Sequence, residues 1–401
     1  MVSDFLLNFL FLLIFCLPYF FLKKFVPKFS HLDIFFGVWI FVLVGIQTVF
    51  KIYLPELSTL IVFYIAGSCF LLGSILLISL SKLPISKSYT YDFYKIKVAL
   101  ASIILLSIMA NIQYLFLLKS LGIFDSELGL LSLRLPQTRE LVYSSSVFST
   151  LFRRSHYIFI PLALYLASNK QISRLTLIAI LVFAIIINGM EFTRAPLLSV
   201  CIISIISYLI FFTVKRRPLI LFTLISIIFL TLFGYITTQI EERVTVDKLT
   251  ESEFQLYTFG GVKAYENILY NHYNKGKFYN SYYTFDFINY PLKRLGLIDG
   301  YPSLEREYSY SPPTNLYSFL DAFTLDFGIT GAFIGCFILG IIVSFTYVKS
   351  LSKNLAYVII YSSCCYYIAM SPLNNEFIRF GFVIIIIQAL IIDRFIRVRR
   401  T

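Results

Sequence analysis

The chain has 401 residues, of which 58% are hydrophobic and only 14% charged, and its mean hydropathy is +0.80. A water-soluble domain cannot bury that much apolar surface, so the composition predicts a polytopic integral membrane protein. The net charge of +12 does not indicate a nucleic-acid-binding protein. Its Lys and Arg residues lie in short segments between apolar runs, where basic residues determine membrane topology.

Eleven apolar runs are long enough to cross about 30 Å of hydrocarbon at about 1.5 Å per residue. In chain order they lie near 4–22, 32–50, 58–80, 98–118, 148–168, 175–190, 196–213, 218–236, 329–347, 355–371 and 380–393. The predicted fold is therefore an all-α polytopic membrane protein with about 11 transmembrane helices.

The short connecting segments predict the orientation of these helices. Eighteen Lys and Arg residues lie in six segments that would all face one side of the membrane, whereas the intervening short loops carry one basic residue each. The positive-inside rule then places the C-terminus in the cytoplasm and the N-terminus outside. The chain divides into helices 1–8 in residues 1–236, a large outer loop at 237–328, and helices 9–11 with a basic cytoplasmic tail at 329–401. A second outer loop lies at 119–147.

The large loop is rich in aromatic and basic residues. The stretch from Tyr257 to Tyr317 contains twelve tyrosines and six Lys and Arg residues. Aromatic rings stack on sugar faces, and fixed cations bind anionic head groups, so this composition favours glycan or lipid-head-group binding. The alternative is that the tyrosines anchor the loop at the membrane interface, where Tyr and Trp are enriched.

Arginines recur at the predicted outer ends of the helices. The fifth run must begin near Val147 to cross the bilayer, which places Arg153 and Arg154 at or below the interface. Arg194 begins the seventh run, where free N–H groups at a helix N-terminus already favour an anion. These residues either anchor the helices by extending to the interface or bind a diphosphate together. Further arginines on the predicted outer side include Arg134, Arg139, Arg294, Arg306 and Arg379.

Four carboxylates near the predicted outer ends of the helices are candidates for a general base. Glu191 precedes Arg194 by three residues, so the two could simply neutralise each other. Asp321 and Asp326 flank the start of the ninth run, and Glu376 lies in a short loop before Arg379. The sequence has no clustering of His, Cys and carboxylates that would predict a metal site, and no Gly-rich phosphate loop that would predict nucleotide binding.

Two motifs stand out in the chain. One is Thr193-Arg194-Ala195-Pro196, which opens a span after a short loop, and the other is Pro313-Thr314-Asn315-Leu316-Tyr317, followed by Asp326-Phe327-Gly328 and Gly331. Together with the predicted topology, these motifs resemble those of the Wzy-type O-antigen (oligosaccharide repeat unit) polymerases. The resemblance covers about 40 residues through these motifs and most of the chain through the predicted topology of many spans with one large, late outer loop.

This resemblance implies a metal-independent membrane glycosyltransferase with a GT-C-like architecture and no cofactor. It would act in lipopolysaccharide biosynthesis at the periplasmic face of the bacterial inner membrane. The growing glycan would leave undecaprenyl diphosphate for the non-reducing-end sugar of a new lipid-linked repeat unit, with a chain-length regulator as a candidate partner. The residues implied to bind the diphosphate or glycan are Arg139, Arg154, Arg194, Arg294, Arg379, Asn315 and Tyr317, and those implied to act as base are Asp326, Glu191 and Glu376.

Two alternatives stay open. An O-antigen ligase, which transfers the glycan to lipid A core, differs only in its acceptor. Ligases carry a His shortly before a Gly-x-x-Gly element, whereas here Thr314 and Asn315 precede Gly328 and Gly331, which favours the polymerase. A flippase or transporter for lipid-linked glycans would need charged residues inside its helices, and these spans contain almost none away from their outer ends.

Overall fold

The computed structural model of the protein describes most of the chain outside the two large loops. The described residues are 2–26, 28–48, 55–81, 90–123, 147–189, 194–212, 253–270, 282–298, 309–310, 313–314, 318–372 and 376–398. Within them, regular structure is helical except for two short strands, β1 (Ser309–Tyr310) and β2 (Pro313–Thr314), which pair antiparallel.

The helices follow the apolar runs. They are α1 (Val2–Phe25), α2 (His31–Thr48), α3 (Leu57–Leu80), α4 (Phe93–Ser120), α5 (Val147–Phe152), α6 (His156–Ser168), α7 (Arg174–Gly189), α8 (Arg194–Phe211), α9 (Glu253–Ile268), α10 (Asp286–Arg294), α11 (Asp321–Ser350), α12 (Leu355–Ala369) and α13 (Phe380–Ile396), with a 3₁₀ turn at Glu376–Ile378 before the last. Each predicted run that falls on described residues coincides with one or two of these helices. The run 218–236 lies outside the described residues.

Three of the described helices, α3, α4 and α11, are long and apolar enough to cross a membrane by length and composition. Shorter apolar helices lie at His31–Ile46, His156–Ser168, Arg174–Gly189, Ala195–Phe211 and Leu355–Ala369. The described part of the protein is therefore helical, and its apolar helices are those expected of a membrane protein. The total of eleven spans and their orientation stay predictions.

Two segments differ from the sequence prediction. The run 148–168 is not one helix, because α5 ends at Phe152 and α6 begins at His156. The Ser155 hydroxyl donates a hydrogen bond to the Phe152 carbonyl at 2.6 Å, and such a local side-chain bond competes with helix continuation. The segment 237–328 also contains helices, because its described residues include α9, α10 and the first residues of α11.

The chain divides into two compact units. The first comprises Met1–Ile85, Leu249–Lys349 and Tyr367–Val383, and the second comprises Ser86–Lys248, Ser350–Tyr366 and Ile384–Thr401.

Aromatic packing and close backbone approach hold the first unit together. Trp39 stacks on Phe63 at a centroid distance of 5.1 Å, and Phe63 meets Tyr265 of α9 edge-on at 5.1 Å. A Cβ atom on Gly73 would overlap the backbone of α11, and one on Gly340 would overlap the backbone of α3. Glycine at both positions therefore lets these two helices approach closely, as small residues do in membrane proteins.

A buried polar network ties three segments of the second unit. Asp393 of α13 forms an ion pair with Arg397 at 2.5 Å and accepts a hydrogen bond from the Tyr91 hydroxyl at 2.9 Å. The same hydroxyl accepts the backbone N–H of Leu355 at 2.9 Å. Burial, followed by the nearby Asp393 charge, raises the pKa of Tyr91 well above its usual range, so the phenol stays neutral and can donate.

Candidate functional site

The N-terminal turns of α6 and α8 meet in the second unit. His156, the first residue of α6, lies with its Nε2 atom 2.6 Å from the Ser199 hydroxyl, in the second turn of α8. Both side chains are fully buried. The first turns of two helices, and with them the positive ends of two helix dipoles, are therefore close to each other, which favours an anion in their vicinity.

The hydrogen bonding fixes the role of each atom in this pair. The Ser199 hydroxyl donates its only hydrogen to the Pro196 carbonyl at 2.6 Å. The Nε2 atom of His156 must therefore carry a hydrogen and donate it to the Ser199 oxygen. Sequence analysis did not single out His156 or Ser199. Their only signal is that each is a polar residue near the start of an apolar run, where buried polar groups are usually hydrogen-bonded.

Arg153 and Arg154 occupy the turn that connects α5 to α6, directly before His156. The Arg153 guanidinium is buried and lies 4.1 Å from the centroid of the Tyr114 ring of α4, a cation–π contact. Arg154 is exposed. Of these two arginines, Arg153 is therefore buried against an aromatic ring, and Arg154 is exposed.

Arg194 is the first residue of α8, and its backbone therefore lies little more than one helical turn from Ser199. The contact between His156 and Ser199 brings the Arg153–Arg154 turn and the start of α8 to the same end of their helices. We call Arg153, Arg154, Arg194, His156 and Ser199 the arginine cluster. The arginine cluster contains two residues that the sequence predicted to bind a diphosphate, Arg154 and Arg194, and the helices that begin at or just after them are in contact.

The motif Asp326-Phe327-Gly328 lies at a sharp reversal in the first unit. Gly328 has φ 69° and ψ −168°, a conformation open essentially to glycine alone, and it interrupts the helical geometry of α11. A Cβ atom on Gly335 would lie 2.8 Å from the Phe323 ring, and one on Gly331 would overlap the Phe327 side chain. Residues 321–327 therefore fold back along the helix that follows. The longest unbroken helical part of α11 is 329–350.

Asp326 joins this hairpin to the large loop. Its carboxylate is buried and accepts the backbone N–H of Tyr283 at 3.3 Å and that of Thr284 at 2.6 Å, one on each oxygen. The Thr284 hydroxyl also donates to the Ala322 carbonyl at 3.4 Å. A carboxylate used in this way fixes the position of residues 282–285. Burial raises the pKa of the Asp326 carboxyl, and the backbone N–H donors oppose this shift, so the side chain combines an anchoring role with the basicity of a candidate general base.

The loop tyrosines divide into buried and exposed groups. Tyr265 is fully buried, and its hydroxyl lies 2.5 Å from the Thr324 hydroxyl of the hairpin. Burial raises the pKa of Tyr265 well above its usual range, so it acts as a neutral hydrogen-bonding group. Tyr283 is also buried, whereas Tyr270 and Tyr282 are exposed. Among the loop tyrosines that the structure describes, these two exposed residues present a ring face on which a sugar could stack.

The other predicted site residues fall on several parts of the chain. Arg379 is partly buried between the 3₁₀ turn and α13, and its carbonyl accepts the N–H of Phe382 at 3.0 Å. The backbone of Arg294 ends α10, and that of Glu376 opens the 3₁₀ turn. These three residues and Asp326 belong to the first unit, and Arg154 and Arg194 to the second. Those that lie outside the described residues are Arg139, Glu191, Asn315 and Tyr317.

Comparisons with protein-family models, with curated proteins and with solved structures find no match to this chain. Within the described residues, no group of three or more His, Cys, Asp and Glu side chains is arranged to hold a metal ion.

Proposed function

We propose that this protein is a membrane glycosyltransferase that polymerises lipid-linked oligosaccharide repeat units. The growing glycan leaves its undecaprenyl diphosphate carrier and is joined to the non-reducing-end sugar of a new lipid-linked repeat unit. The reaction takes place at the periplasmic face of the inner membrane, in a GT-C-like protein of about eleven spans. The proposal joins the sequence resemblance to the chemistry of the arginine cluster.

The observation that carries the proposal is the meeting of two helix N-termini with three arginines in or beside their first turns. A cation at a helix N-terminus is electrostatically unfavourable by itself, because the dipole there is already positive. Both the cation and the dipole become favourable when an anion binds between them. A diphosphate offers several acceptor oxygens, and guanidinium groups bind such oxygens in bidentate pairs.

The reaction asks for the stabilisation of a leaving group more than for a strong nucleophile. The acceptor hydroxyl oxygen attacks the anomeric carbon, the bond from that carbon to the diphosphate oxygen breaks, and the hydroxyl proton passes to a base. Negative charge grows on the departing diphosphate. Arg154 and Arg194 are our first candidates to stabilise this charge electrostatically, and Arg139, Arg294 and Arg379 are the others that the sequence offers.

The identity of the base is the more open part of this mechanism. Asp326, Glu191 and Glu376 are the candidates. The two backbone donors on Asp326 favour an anchoring role for it. All three stay candidates for the group that accepts the hydroxyl proton.

The test is synthesis by the purified protein. The protein is reconstituted into vesicles that contain undecaprenyl-diphosphate-linked repeat units, and the products are separated by gel electrophoresis. A polymerase yields a ladder of lipid-linked glycans without any added acceptor. The control reaction contains lipid A core in addition.

Two results would contradict the proposal. Transfer that occurs only when lipid A core is present would identify a ligase. A protein that is folded and moves lipid-linked units across the bilayer without lengthening them would identify a flippase.

A further inference from the structure

A short helix of the large loop carries an apolar stripe that faces away from the protein. Phe285, Ile288, Leu292 and Leu295 follow the spacing i, i+3, i+7 and i+10 along α10 and its flanking residues, so they share one face of the helix. Phe285, Ile288 and Leu295 are exposed, and so is Leu297 just beyond the helix. We call these five residues the α10 stripe.

The opposite side of α10 is packed against the first unit. Asp286 is buried, and the Tyr290 ring lies 6.1 Å from the ring of Phe380 between centroids. The chain just before the helix is fixed by the two hydrogen bonds from Tyr283 and Thr284 to Asp326. The orientation of α10 is therefore set by the protein body, and the α10 stripe is held outward.

The surface near α10 already has the character of a lipid-facing surface. Phe327 follows Asp326 directly and is exposed. Along the same helix α11, Ile334, Ile338 and Ile342 are exposed at intervals of four residues and form one apolar face. In a membrane protein, such a face contacts hydrocarbon. Tyr283 and Thr284, just before α10, are hydrogen-bonded to Asp326, which lies just before the unbroken part of α11 at 329–350.

We propose that α10 is an interfacial helix that lies in the membrane surface and inserts the α10 stripe among the lipids. Basic residues at the end of the helix fit this occupant, since Lys293 is exposed and Arg294 follows it. Lysine and arginine beside an apolar stripe are typical of helices that bind phospholipid head groups. The helix thereby anchors the large loop at the height of the head groups.

Tryptophan fluorescence tests this proposal directly. The chain has one tryptophan, Trp39, which is buried and supplies the same background in every variant. Leu295→Trp places a reporter on the stripe, and Tyr270→Trp places a matched reporter at the end of the α9 region, because the two side chains are 72% and 70% exposed. Both variants are reconstituted into phosphatidylcholine–phosphatidylglycerol vesicles, with or without lipids brominated near the head-group end of the acyl chain.

The expected result is a loss of Leu295→Trp fluorescence in brominated vesicles and an emission maximum at shorter wavelength than that of Tyr270→Trp. Tyr270→Trp should instead be quenched by acrylamide in the water phase. Leu297→Trp serves as a second reporter if Leu295→Trp does not fold. Quenching of the stripe reporters by acrylamide alone would overturn the proposal, because the stripe would then face water. Protection from both quenchers would also overturn it, because protein would then cover the stripe.

Discussion

The arginine cluster and the Asp326 hairpin use charged side chains in opposite ways. In the cluster, His156 and Ser199 satisfy each other inside the protein, while Arg154 is exposed at the end of the helices. In the hairpin, Asp326 is buried and both its oxygens accept backbone N–H groups. The buried hydrogen bond of the cluster joins two helices and leaves Arg154 exposed, whereas the hairpin uses a buried charge to hold a loop.

The contacts of a residue therefore indicate its role better than its residue type does. Asp326 has the residue type expected of a base, but its hydrogen bonds are those of an anchor. The His156–Ser199 pair instead keeps the first turns of two helices together. We therefore expect substitutions in the cluster to lower turnover with little effect on stability. Substitutions in the hairpin should do the reverse.

The largest expected effect is at Arg194. Arg194→Lys should lower turnover nearly as much as Arg194→Ala, by about 10²–10³-fold, because an ammonium cannot reproduce the bidentate fork of a guanidinium. Turnover of purified lipid-linked repeat units by each reconstituted variant measures this.

The matched control is Arg174→Lys, since Arg174 is an exposed arginine that also begins a helix. It should keep full turnover. Near-normal turnover by Arg194→Lys would instead assign Arg194 to membrane anchoring, for which lysine serves about as well.

The second effect is at Asp326. Asp326→Ala removes the acceptor of two backbone N–H groups in a buried position, and each lost bond to a charged group costs about 1.5–3 kcal/mol. Asp326→Asn keeps one acceptor oxygen and should be destabilised less. Thermal unfolding in detergent measures the loss as a fall in Tm, and turnover is compared per folded molecule.

The outcome that would break the comparison is clear for Asp326→Asn. If this variant unfolds at the wild-type temperature and yet has no turnover, Asp326 acts as the base and its hydrogen bonds are incidental.

The sequence predicted the helices better than the relations between residues. Apolar runs locate helices because each span must be apolar along its length, so runs such as 58–80 and 355–371 lie within a few residues of α3 and α12. The break at Arg153–Ser155 was missed because a hydropathy window averages over three residues. The reversal at Gly328 was missed because a glycine in an apolar run has no hydropathy signal of its own.

The sequence predicted the arginines of the candidate site but not the buried residues that hold its helices and loop in place. Arg154 and Arg194 were found because arginines at the ends of apolar runs are conspicuous. The contact of His156 with Ser199 joins residues 43 positions apart, and no local pattern reports such a pairing. The same holds for Asp326, whose partners lie 42 and 43 positions earlier in the chain.

The third prediction sharpens the role of the hairpin. Gly328→Ala places a Cβ atom where φ is 69° and ψ is −168°, which costs on the order of 1–3 kcal/mol of backbone strain. We expect a lower Tm and faster cleavage of the loop by protease, because a change at Gly328 displaces Asp326, which holds the loop at Tyr283 and Thr284. Gly37→Ala is the control, since a Cβ atom there meets nothing within 4 Å inside helix α2. An unchanged Tm for Gly328→Ala would contradict the hairpin geometry.

The smallest effects distinguish the two groups of loop tyrosines. Tyr265→Phe removes the hydroxyl that contacts Thr324 in a buried site, and the loss should cost about 0.5–1.5 kcal/mol of stability.

Tyr282→Phe should change neither stability nor turnover, because its ring is exposed and remains available for stacking. Tyr282→Ala and Tyr270→Ala then test glycan binding, since either should lower the rate of chain extension without lowering Tm if a sugar stacks on that ring. If both alanine variants extend chains at the wild-type rate, the exposed tyrosines do not bind the glycan. The aromatic content of the loop would then serve the interior packing that Tyr265 represents and the contact of the loop with the membrane surface.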